Sequence, residues 1–354
     1  MMKKRMGTTL LRLVACVLAV CLLPAFALAE EPAENSGWVN FILICNEGMN
    51  NSGGNAGNTL MVIGMNPSTG KIRLLMFTWD AFIDYEGYDV PQKLDMPYRN
   101  GGPEETMKVF NDNFGLDISQ YMSLNYLNLA SLIDNYGGVD VDISRAERNA
   151  LNGMVASKHR SLQAQADSGL LSQLVLELLV KQYYLNEFGP DTHLNGLQAV
   201  GFGWLQYDSV LNCCEREVEV VADLFNSVAK TISENAAFYT EETGAPQDAR
   251  GRRQINLDAI TDADVEYLRK SVAPIFEMSY NNLKEEDIEG ITLTLARVAF
   301  EASRQGVNIF KPLEYAVFPL EASEPYDIIA GAKGHVIDNE ANREAMLAFL
   351  FAED

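Results

Sequence analysis

Apolar and polar positions along this chain fall into blocks, and the first blocks predict three strands. Residues 38–48, WVNFILICNEG, are an apolar run that breaks into a polar loop, which is typical of a buried strand. Residues 58–65, NTLMVIGM, are a second run, and the turn sequence NPSTG separates it from a third at residues 71–80, KIRLLMFTWD. Because Asn, Pro, Ser and Gly supply the backbone angles of a reversal, the second and third runs are predicted to form an antiparallel hairpin.

Apolar positions with helical spacing come next. Residues 101–116 predict a helix with Pro103 in its first turn and two acidic residues directly after it. Residues 121–143 predict a strand, a helix stopped by two glycines, and another strand. Residues 169–185 predict a helix that is apolar on most sides, which places it either deep in the core or along an apolar cavity.

The second half of the chain continues this alternation. Residues 193–205 and 214–232 predict two helical stretches, or a helix and an extended segment. Residues 238–256 are polar and contain Gly and Pro, so they predict an exposed insertion. The last predicted elements are an amphipathic helix, a strand and a closing helix, at residues 286–302, 314–321 and 342–351.

Interleaved strands and helices without an internal repeat predict the α/β class. We expect a central mixed β-sheet flanked by helices on both sides. The expected organisation is one domain over residues 38–354, with a polar insertion at about residues 238–270.

The N-terminal segment has the three parts of a secretory signal. Basic residues at positions 3–5 precede an apolar stretch at residues 13–29, which ends in small residues before two glutamates. We expect cleavage after Ala29, a linker at residues 30–37, and a protein secreted to the outer face of the cell envelope. The alternative is an uncleaved membrane anchor formed by residues 13–29, because that stretch approaches the roughly 20 apolar residues that span a bilayer.

The charge of the chain excludes one class of partner. It has 27 Lys and Arg residues against 49 Asp and Glu residues, and a formal net charge of −22. Such a surface repels polyanions at long range, so nucleic acid is not expected as a partner.

The cysteines beyond the signal are Cys45, Cys213 and Cys214. They are too few and too scattered to predict a disulfide framework, and their spacing does not suggest a zinc site. A bridge from Cys45 to Cys213 or Cys214 is one alternative, and buried thiols are the other.

Several of these stretches, in this order, resemble the LytR–CpsA–Psr family of bacterial envelope proteins. The matching stretches are NFILICNEG, NTLMVIGMNPSTGKIRLLMFTWD, the run from KLDMPYRNGGPEE to LIDNYGGVDVDI, and LNGLQAVGF before REVEVVADL. A weaker match at residues 314–351 places the C-terminus in the same domain.

The resemblance implies an activity and a site. Family members transfer a glycopolymer from a polyprenyl pyrophosphate carrier to peptidoglycan, and the lipid tail lies in an apolar cavity of the α/β core. The pyrophosphate is expected at the cavity mouth, among arginines and a magnesium ion held by carboxylates. Guanidinium forks suit a diphosphate, and a metal or arginine absorbs charge as the phosphate leaves.

This chain departs from the implied site in its N-terminal third. Glu47 stands where the family has an aspartate, so a carboxylate is kept. Ala56 and Asn58 stand where an arginine and a metal-binding aspartate are implied, and Trp79 replaces the arginine ahead of the retained Asp80.

The departures continue toward the middle of the chain. Lys93 is retained in KLDMPY, with Arg99 nearby as a local addition. Trp204 and Gln206 stand in place of two arginines that the resemblance implies after LNGLQA. In the last motif Arg216 is kept, whereas its flanking positions read Cys213 for an arginine and Glu217 for a glutamine.

The leading hypothesis is therefore a degenerate member that binds a polyprenyl-linked or glycan envelope ligand without transfer chemistry. The ligand-binding candidates are Glu47, Asn58, Trp79, Arg99, Trp204 and Gln206. The alternative is an active phosphotransferase with Asp80, Lys93 and Arg216 as catalytic candidates and Glu47 with Asp80 as ligands of a magnesium ion. In either case peptidoglycan is an expected partner, and the carrier lipid or an uncleaved anchor implies proximity to the membrane.

Plainer interpretations stand beside both hypotheses. Trp79 and Trp204 offer aromatic faces that suit sugar rings or apolar groups, or they fill space left by the missing arginines. Glu47 and Asp80 hold a cation, or they are solvated or pair with Lys93 and Arg216. The histidines at positions 159, 193 and 335 are far apart in sequence and are expected to have no role.

Overall fold

The computed structural model describes residues 37–46, 57–168, 172–242, 244, 250–305, 313–319, 327–329, 331–337 and 339–351. The strands in these ranges are β1 Val39–Asn46, β2 Gly57–Met65, β3 Ile72–Phe77, β4 Phe82–Ile83, β5 Gln92–Lys93, β6 Tyr121–Asn125, β7 Val139–Ile143, β8 Gly189–Leu194, β9 Ala236–Tyr239, β10 Arg253–Asn256, β11 Tyr280–Asn281, β12 Leu313–Phe318, β13 Asp327–Ile329 and β14 Ala332–Gly334. The helices are α1 Met96–Phe114, α2 Tyr126–Asn135, α3 Arg145–Asp167, α4 Gln173–Tyr183, α5 Gly196–Gly203, α6 Val210–Asn235, α7 Asp262–Glu277, α8 Glu285–Gln305 and α9 Asn339–Phe351.

Six strands form one mixed sheet in the order β11, β6, β1, β2, β3, β12. The predicted hairpin is confirmed, since β2 and β3 pair antiparallel from Met65 opposite Ile72 to Leu60 opposite Phe77. β1 is antiparallel to β2 and parallel to β6, and β12 is parallel to β3. The predicted α/β class with a central mixed sheet is therefore correct.

Both faces of the sheet are buried under helices. Along β1, Phe41 and Leu43 belong to one apolar core, which includes buried residues of α2, α5, α6, α7 and α8. Ile42 and Ile44 point to the other face, where the second core includes residues of α1 and α9. Because side chains alternate along a strand, a continuous apolar run serves both cores, which explains why β1 shows no polar alternation.

The LNGLQA stretch marks the start of α5 for a physical reason. The Asn195 side chain accepts a hydrogen bond from the Gln198 N–H, and the Gln198 side chain accepts one from the Asn195 N–H, which is a capping box. Gly196 lies against α2, where an added Cβ would overlap the Ala130 carbonyl oxygen. Its N–H donates to Asp134 Oδ1 at 2.7 Å, so this stretch both starts α5 and docks it on α2.

Three predicted segments differ from the structure. α1 begins at Met96, ahead of the predicted start, and is kinked at Gly102, so Pro103 does open the second part of the helix. α4 is not deep core, because Leu174 is 65% exposed and none of its described side chains is buried. The range 238–270 is not simply an exposed insertion, since its described parts include β10 and half of α7, with Ile255 and Leu268 fully buried.

In the described part of the chain no helix combines the length and the apolar character needed to cross a membrane.

Candidate functional site

Asp80 lies just past the end of β3 and is bonded to a residue from the far end of the chain. Its buried carboxylate Oδ1 lies 3.0 Å from His335 Nδ1. The Phe82 N–H donates to the His335 carbonyl at 2.8 Å, and the His335 N–H donates to the Asp80 carbonyl at 3.3 Å. Sequence analysis missed His335, because 255 positions separate it from Asp80 and no local pattern shows such a contact.

Lys93 and Arg99 each have a partner close to Asp80. Lys93 Nζ lies 5.4 Å from the centroid of the Trp79 ring, which is a cation–π contact. Arg99 Nη2 lies 3.8 Å from Asp95 Oδ2. Burial raises the pKa of the Asp95 carboxyl, while the charges of Arg99 and Lys93 oppose the rise. The structure thus brings Trp79, Lys93 and Arg99 together, with Asp95 as a neighbour that sequence analysis did not single out.

A second group of site residues lies between β2 and α6. Trp204 Nε1 donates to Thr59 Oγ1 at 3.2 Å, and its ring centroid lies 6.0 Å from that of Tyr126. The Cys213 thiol donates to the Gly203 carbonyl at 3.3 Å and lies 3.7 Å from Glu217 Oε1. Trp204 therefore fills space and is held by a hydrogen bond at the place where the resemblance implies an arginine.

Glu217 is a buried carboxyl at the centre of this group. Burial raises its pKa from 4.5 to about 8, and the Thr59 hydroxyl, the Cys213 thiol and the Arg216 charge oppose the rise only in part. Within the described ranges its Oε2 atom has no partner at normal hydrogen-bond geometry. The raised pKa favours the protonated carboxyl at neutral pH, and that form is a neutral group close in size and shape to the glutamine that the resemblance implies.

The buried Arg216 guanidinium is engaged in an ion pair through both of its terminal nitrogens. Nη1 and Nη2 donate to the two carboxylate oxygens of Asp208 at 3.1 and 2.9 Å, and Nη1 lies 3.4 Å from Glu147 Oε1. Nη2 also donates to the Leu205 carbonyl, and the Tyr207 ring covers the guanidinium with its centroid 5.2 Å away. The guanidinium holds the pKa of the Asp208 carboxyl well below its usual range. This pattern is that of a structural bidentate pair, with the fork turned toward protein carboxylates.

These contacts correct the pairing expected for the retained charges. Asp80 pairs with His335 rather than with Lys93 or Arg216, and Arg216 pairs with Asp208. Arg216 therefore lies in a set of contacts separate from the region that Asp80 and Lys93 share.

The structure gives less information on the remaining candidate residues. Asn58 is half-buried in β2, and Gln206 is exposed. Glu47 and Ala56 lie outside the described residues, so the roles expected for them stay predictions. Cys45, Cys213 and Cys214 are free and buried, which favours the second of the two alternatives left by the sequence.

The described donor groups near Asp80 do not make a magnesium site. Oδ1 of Asp80 is paired with His335, and the described part of the chain holds no cluster of three or more His, Cys, Asp or Glu side chains suited to a metal ion. The second predicted ligand, Glu47, is outside these ranges. The magnesium ion that the phosphotransferase alternative requires therefore stays a prediction that depends on Glu47.

A narrow apolar gap separates the sheet from the helices on its α6 side. Its volume is about 40 Å³, and all of its walls are apolar, with Phe41 and Leu43 from β1 facing Val221, Leu224 and Phe225 from α6. Small-molecule sites usually enclose about 300–1,000 Å³. In this conformation the gap has no room for a lipid chain, and a lipid would require the helices to separate from the sheet.

The fold is similar to that of solved proteins named TagV and TagT. The crystal structure of B. subtilis TagV aligns with a TM-score of 0.54 over 90% of this chain and 98% of that chain, at 13% sequence identity. A structure of TagT bound to LIIa-WTA aligns with a TM-score of 0.55 over 89% of this chain and 90% of that chain, at 12% identity. At these identities the likeness establishes the class of fold and nothing finer.

The sequence then gives the family. The model described as the LytR_cpsA_psr family matches residues 27–230, which is more than half of the chain. The chain belongs to the LytR–CpsA–Psr family.

Curated relatives match over short segments. The polyisoprenyl-teichoic acid–peptidoglycan teichoic acid transferase TagU of Halalkalibacterium halodurans is 29% identical over 89 residues, which is 25% of this chain and 29% of that protein. The probable cell wall biosynthesis protein LcpB of Corynebacterium glutamicum is 31% identical over 84 residues, which is 24% of this chain and 20% of that protein. The chain thus matches less than a third of the length of these relatives.

Proposed function

We propose that this protein binds a polyprenyl-linked or glycan ligand of the cell envelope without transferring it. It is exported by its N-terminal segment, works near the membrane through the carrier lipid or an uncleaved anchor, and meets peptidoglycan there. The ligand class follows from its relatives, since TagU is named a polyisoprenyl-teichoic acid–peptidoglycan transferase and TagT has been solved with LIIa-WTA.

The observation that carries the proposal is that Arg216 is already paired with a carboxylate of the protein. It is the arginine kept from the implied set, and both nitrogens of its fork bond to Asp208 while its side chain is 5% exposed. Gripping a pyrophosphate would require Arg216 to give up this bidentate pair, whose charge-assisted hydrogen bonds are worth about 1.5–3 kcal/mol. A diphosphate is therefore not the favoured ligand at this point.

The surroundings of Arg216 support the same conclusion. Trp204 occupies a neighbouring position that would otherwise be cationic, and it uses its N–H on Thr59. Glu217 adds a carboxyl that would repel phosphate if it ionised. With aromatic and neutral groups in place of forks, the site favours apolar chains or sugar rings over phosphate.

The alternative is an active phosphotransferase with a rebuilt site. One observation favours it, because Asp80 is buried close to Asp95, Lys93 and Arg99, so carboxylates and cations share one region. On this alternative Asp80 and Lys93 act at the transferred phosphate, with Arg216 and Glu47 in support.

The two functions differ in whether the ligand must carry a pyrophosphate. We would purify the full chain under native conditions, record its mass by native mass spectrometry, and extract it with organic solvent. We would then titrate delipidated protein with undecaprenol, undecaprenyl phosphate and undecaprenyl pyrophosphate, each with and without magnesium. The proposal expects a bound polyprenyl chain or glycan, and polyprenyl affinities that change little with the phosphate count or magnesium.

Two results would contradict the proposal. The first is magnesium-dependent release of polyprenyl phosphate that Asp80→Asn abolishes and that Glu187→Ala, at an exposed position, leaves intact. The Asn variant keeps an acceptor for His335, so its failure would not reflect a lost fold. The second is a protein that carries no lipid or glycan and binds none, which would favour a role in protein contacts alone.

A further inference from the structure

An open groove of about 530 Å³ lies between the β4–β5 connection and α1. The connection runs over residues 84–91, and its base carries Lys93 of the candidate site. We call this feature the tyrosine groove and define it by Tyr85, Tyr88, Val90, Lys108 and Asp112, which all line it.

A tight turn stacks the two tyrosines of the groove. The Tyr88 N–H donates to the Tyr85 carbonyl at 3.2 Å, and Gly87 between them has a φ of 90°. That left-handed angle suits glycine, so the sequence YEGY fixes a turn that brings both rings to one side. The ring centroids lie 5.2 Å apart, with 24° between the planes.

Side chains of α1 hold the turn in place. Asn100 Nδ2 donates to the Tyr88 hydroxyl at 3.2 Å and reaches the Tyr85 hydroxyl at 3.5 Å. Asn113 Oδ1 accepts from the Asp84 N–H at 3.0 Å, and Asn113 Nδ2 donates to the Asp84 carbonyl at 2.8 Å. The aromatic surface is thus ordered before any ligand arrives, which lowers the entropic cost of binding.

The rings present one flat aromatic face to solvent. Tyr85 covers one side of Tyr88, and Tyr88 is still 46% exposed. Aromatic cages that bind ammonium groups surround a cation with several rings. Two nearly parallel rings instead form a platform, which fits the flat apolar face of a ring-shaped ligand.

The charges of the groove point to a neutral ligand rich in hydroxyl groups. Four carboxylates line it, from Asp84, Glu86, Asp89 and Asp112. The one lysine of the lining, Lys108, is already shared between Glu86 at 2.8 Å and Asp112 at 3.4 Å. An anionic ligand would be repelled, whereas hydroxyl groups can donate to carboxylates in charge-assisted hydrogen bonds.

We propose that the tyrosine groove is a carbohydrate subsite that stacks a neutral pyranose ring on Tyr88 and bonds its hydroxyl groups to the surrounding carboxylates. The inference deepens the proposed function, on which it rests, by naming a sugar as the ligand chemistry at the end of the β4–β5 connection. It assigns no role to the apolar gap or to Arg216.

The test uses the full chain and a defined sugar. Chitotetraose, a neutral β-1,4-linked N-acetylglucosamine tetramer, would be titrated into the protein and followed by saturation-transfer NMR. We expect saturable binding with a Kd of about 1 mM or tighter. Tyr88→Ala should weaken binding about tenfold, because it removes the stacking face. Tyr88→Phe should keep most of the affinity, since the face remains.

Controls separate this proposal from the others. Tyr184→Ala removes a tyrosine of matched exposure, 47%, outside the groove, and should leave binding unchanged. Unaltered tetramer affinity in Tyr88→Ala, or no saturable binding in the folded wild type, would overturn the subsite. Binding of trilysine at Tyr88, with no binding of the tetramer, would also overturn the subsite, because it would define a cation site. Retention of polyprenyl lipid by Tyr88→Ala would show that the two functions fail independently.

Discussion

Replacing the buried carboxyl of Glu217 by an amide should remove a pH-dependent loss of stability. Burial raises the pKa of Glu217 from 4.5 to about 8, so between these values the folded protein keeps a proton that the unfolded chain has lost. Wild-type stability therefore falls as pH rises through this window and levels off above about pH 8. At about 1.4 kcal/mol for each tenfold change, the loss is on the order of 3 kcal/mol at pH 7 and approaches 5 kcal/mol above pH 8. The amide of Glu217→Gln does not titrate, so the free energy of unfolding of this variant should not fall with pH in this window.

Urea unfolding at pH 5, 6, 7 and 8, with reductant present to protect the thiols of Cys45, Cys213 and Cys214, measures the effect. The amide brings two donors into a buried site, which costs about 1–3 kcal/mol. Because this cost is the same at every pH, it lowers the free energy of unfolding by a constant amount and does not change its dependence on pH. The informative quantity is thus the difference in free energy of unfolding between variant and wild type, which should rise by roughly 3–4 kcal/mol from pH 5 to pH 8. Glu215→Gln, an exposed position on the same helix, is the matched control and should run parallel to wild type. Parallel curves for Glu217→Gln and wild type would refute a protonated buried carboxyl.

Three further substitutions test the contacts that build the site. Gly196→Ala should destabilise the fold by at least 2 kcal/mol in urea unfolding, because the new Cβ overlaps the Ala130 carbonyl, and wild-type stability in this variant would contradict the close packing of α5 on α2. Arg216→Met should cost roughly 1.5–3 kcal/mol at pH 7, because it removes charged hydrogen bonds to Asp208, and less at pH 3, where Asp208 is protonated in the variant, so a loss that grows toward acid would argue against the ion pair. Trp204→Phe keeps the aromatic packing and loses the bond to Thr59, so thermal unfolding should show a loss of about 1 kcal/mol, and no loss would mean that this hydrogen bond has no net value.

The central fold could be predicted because its signals are local. The apolar runs that became β1, β2 and β3, and the turn between the last two, depend on residues within a few positions of each other. The helix predicted at residues 169–185 shows the limit of composition, since its apolar content predicted a place deep in the core or along an apolar cavity, while Leu174 is 65% exposed. Helix composition gives the amount of apolar surface, and tertiary packing decides how much of it is covered.

Only part of the candidate site could be predicted from the sequence. Positions such as Trp79, Lys93 and Trp204 could be proposed because the stretches around them resemble those of the family. The partners of the charged residues could not be predicted, because they come from other elements of the fold. Asp208 and Glu147, which pair with Arg216, are examples. Desolvation of Glu217 likewise depends on α6 packing against β2, which no residue pattern expresses.

The hydrogen bond between Asp80 and His335 also limits how this chain can vary. The family match ends at residue 230, yet the partner of the retained aspartate comes from position 335. A change at either position leaves the other with a broken contact in a mostly buried place, so the tolerated changes should be paired. Among relatives that keep the C-terminal segment, we expect positions 80 and 335 to covary across 255 residues.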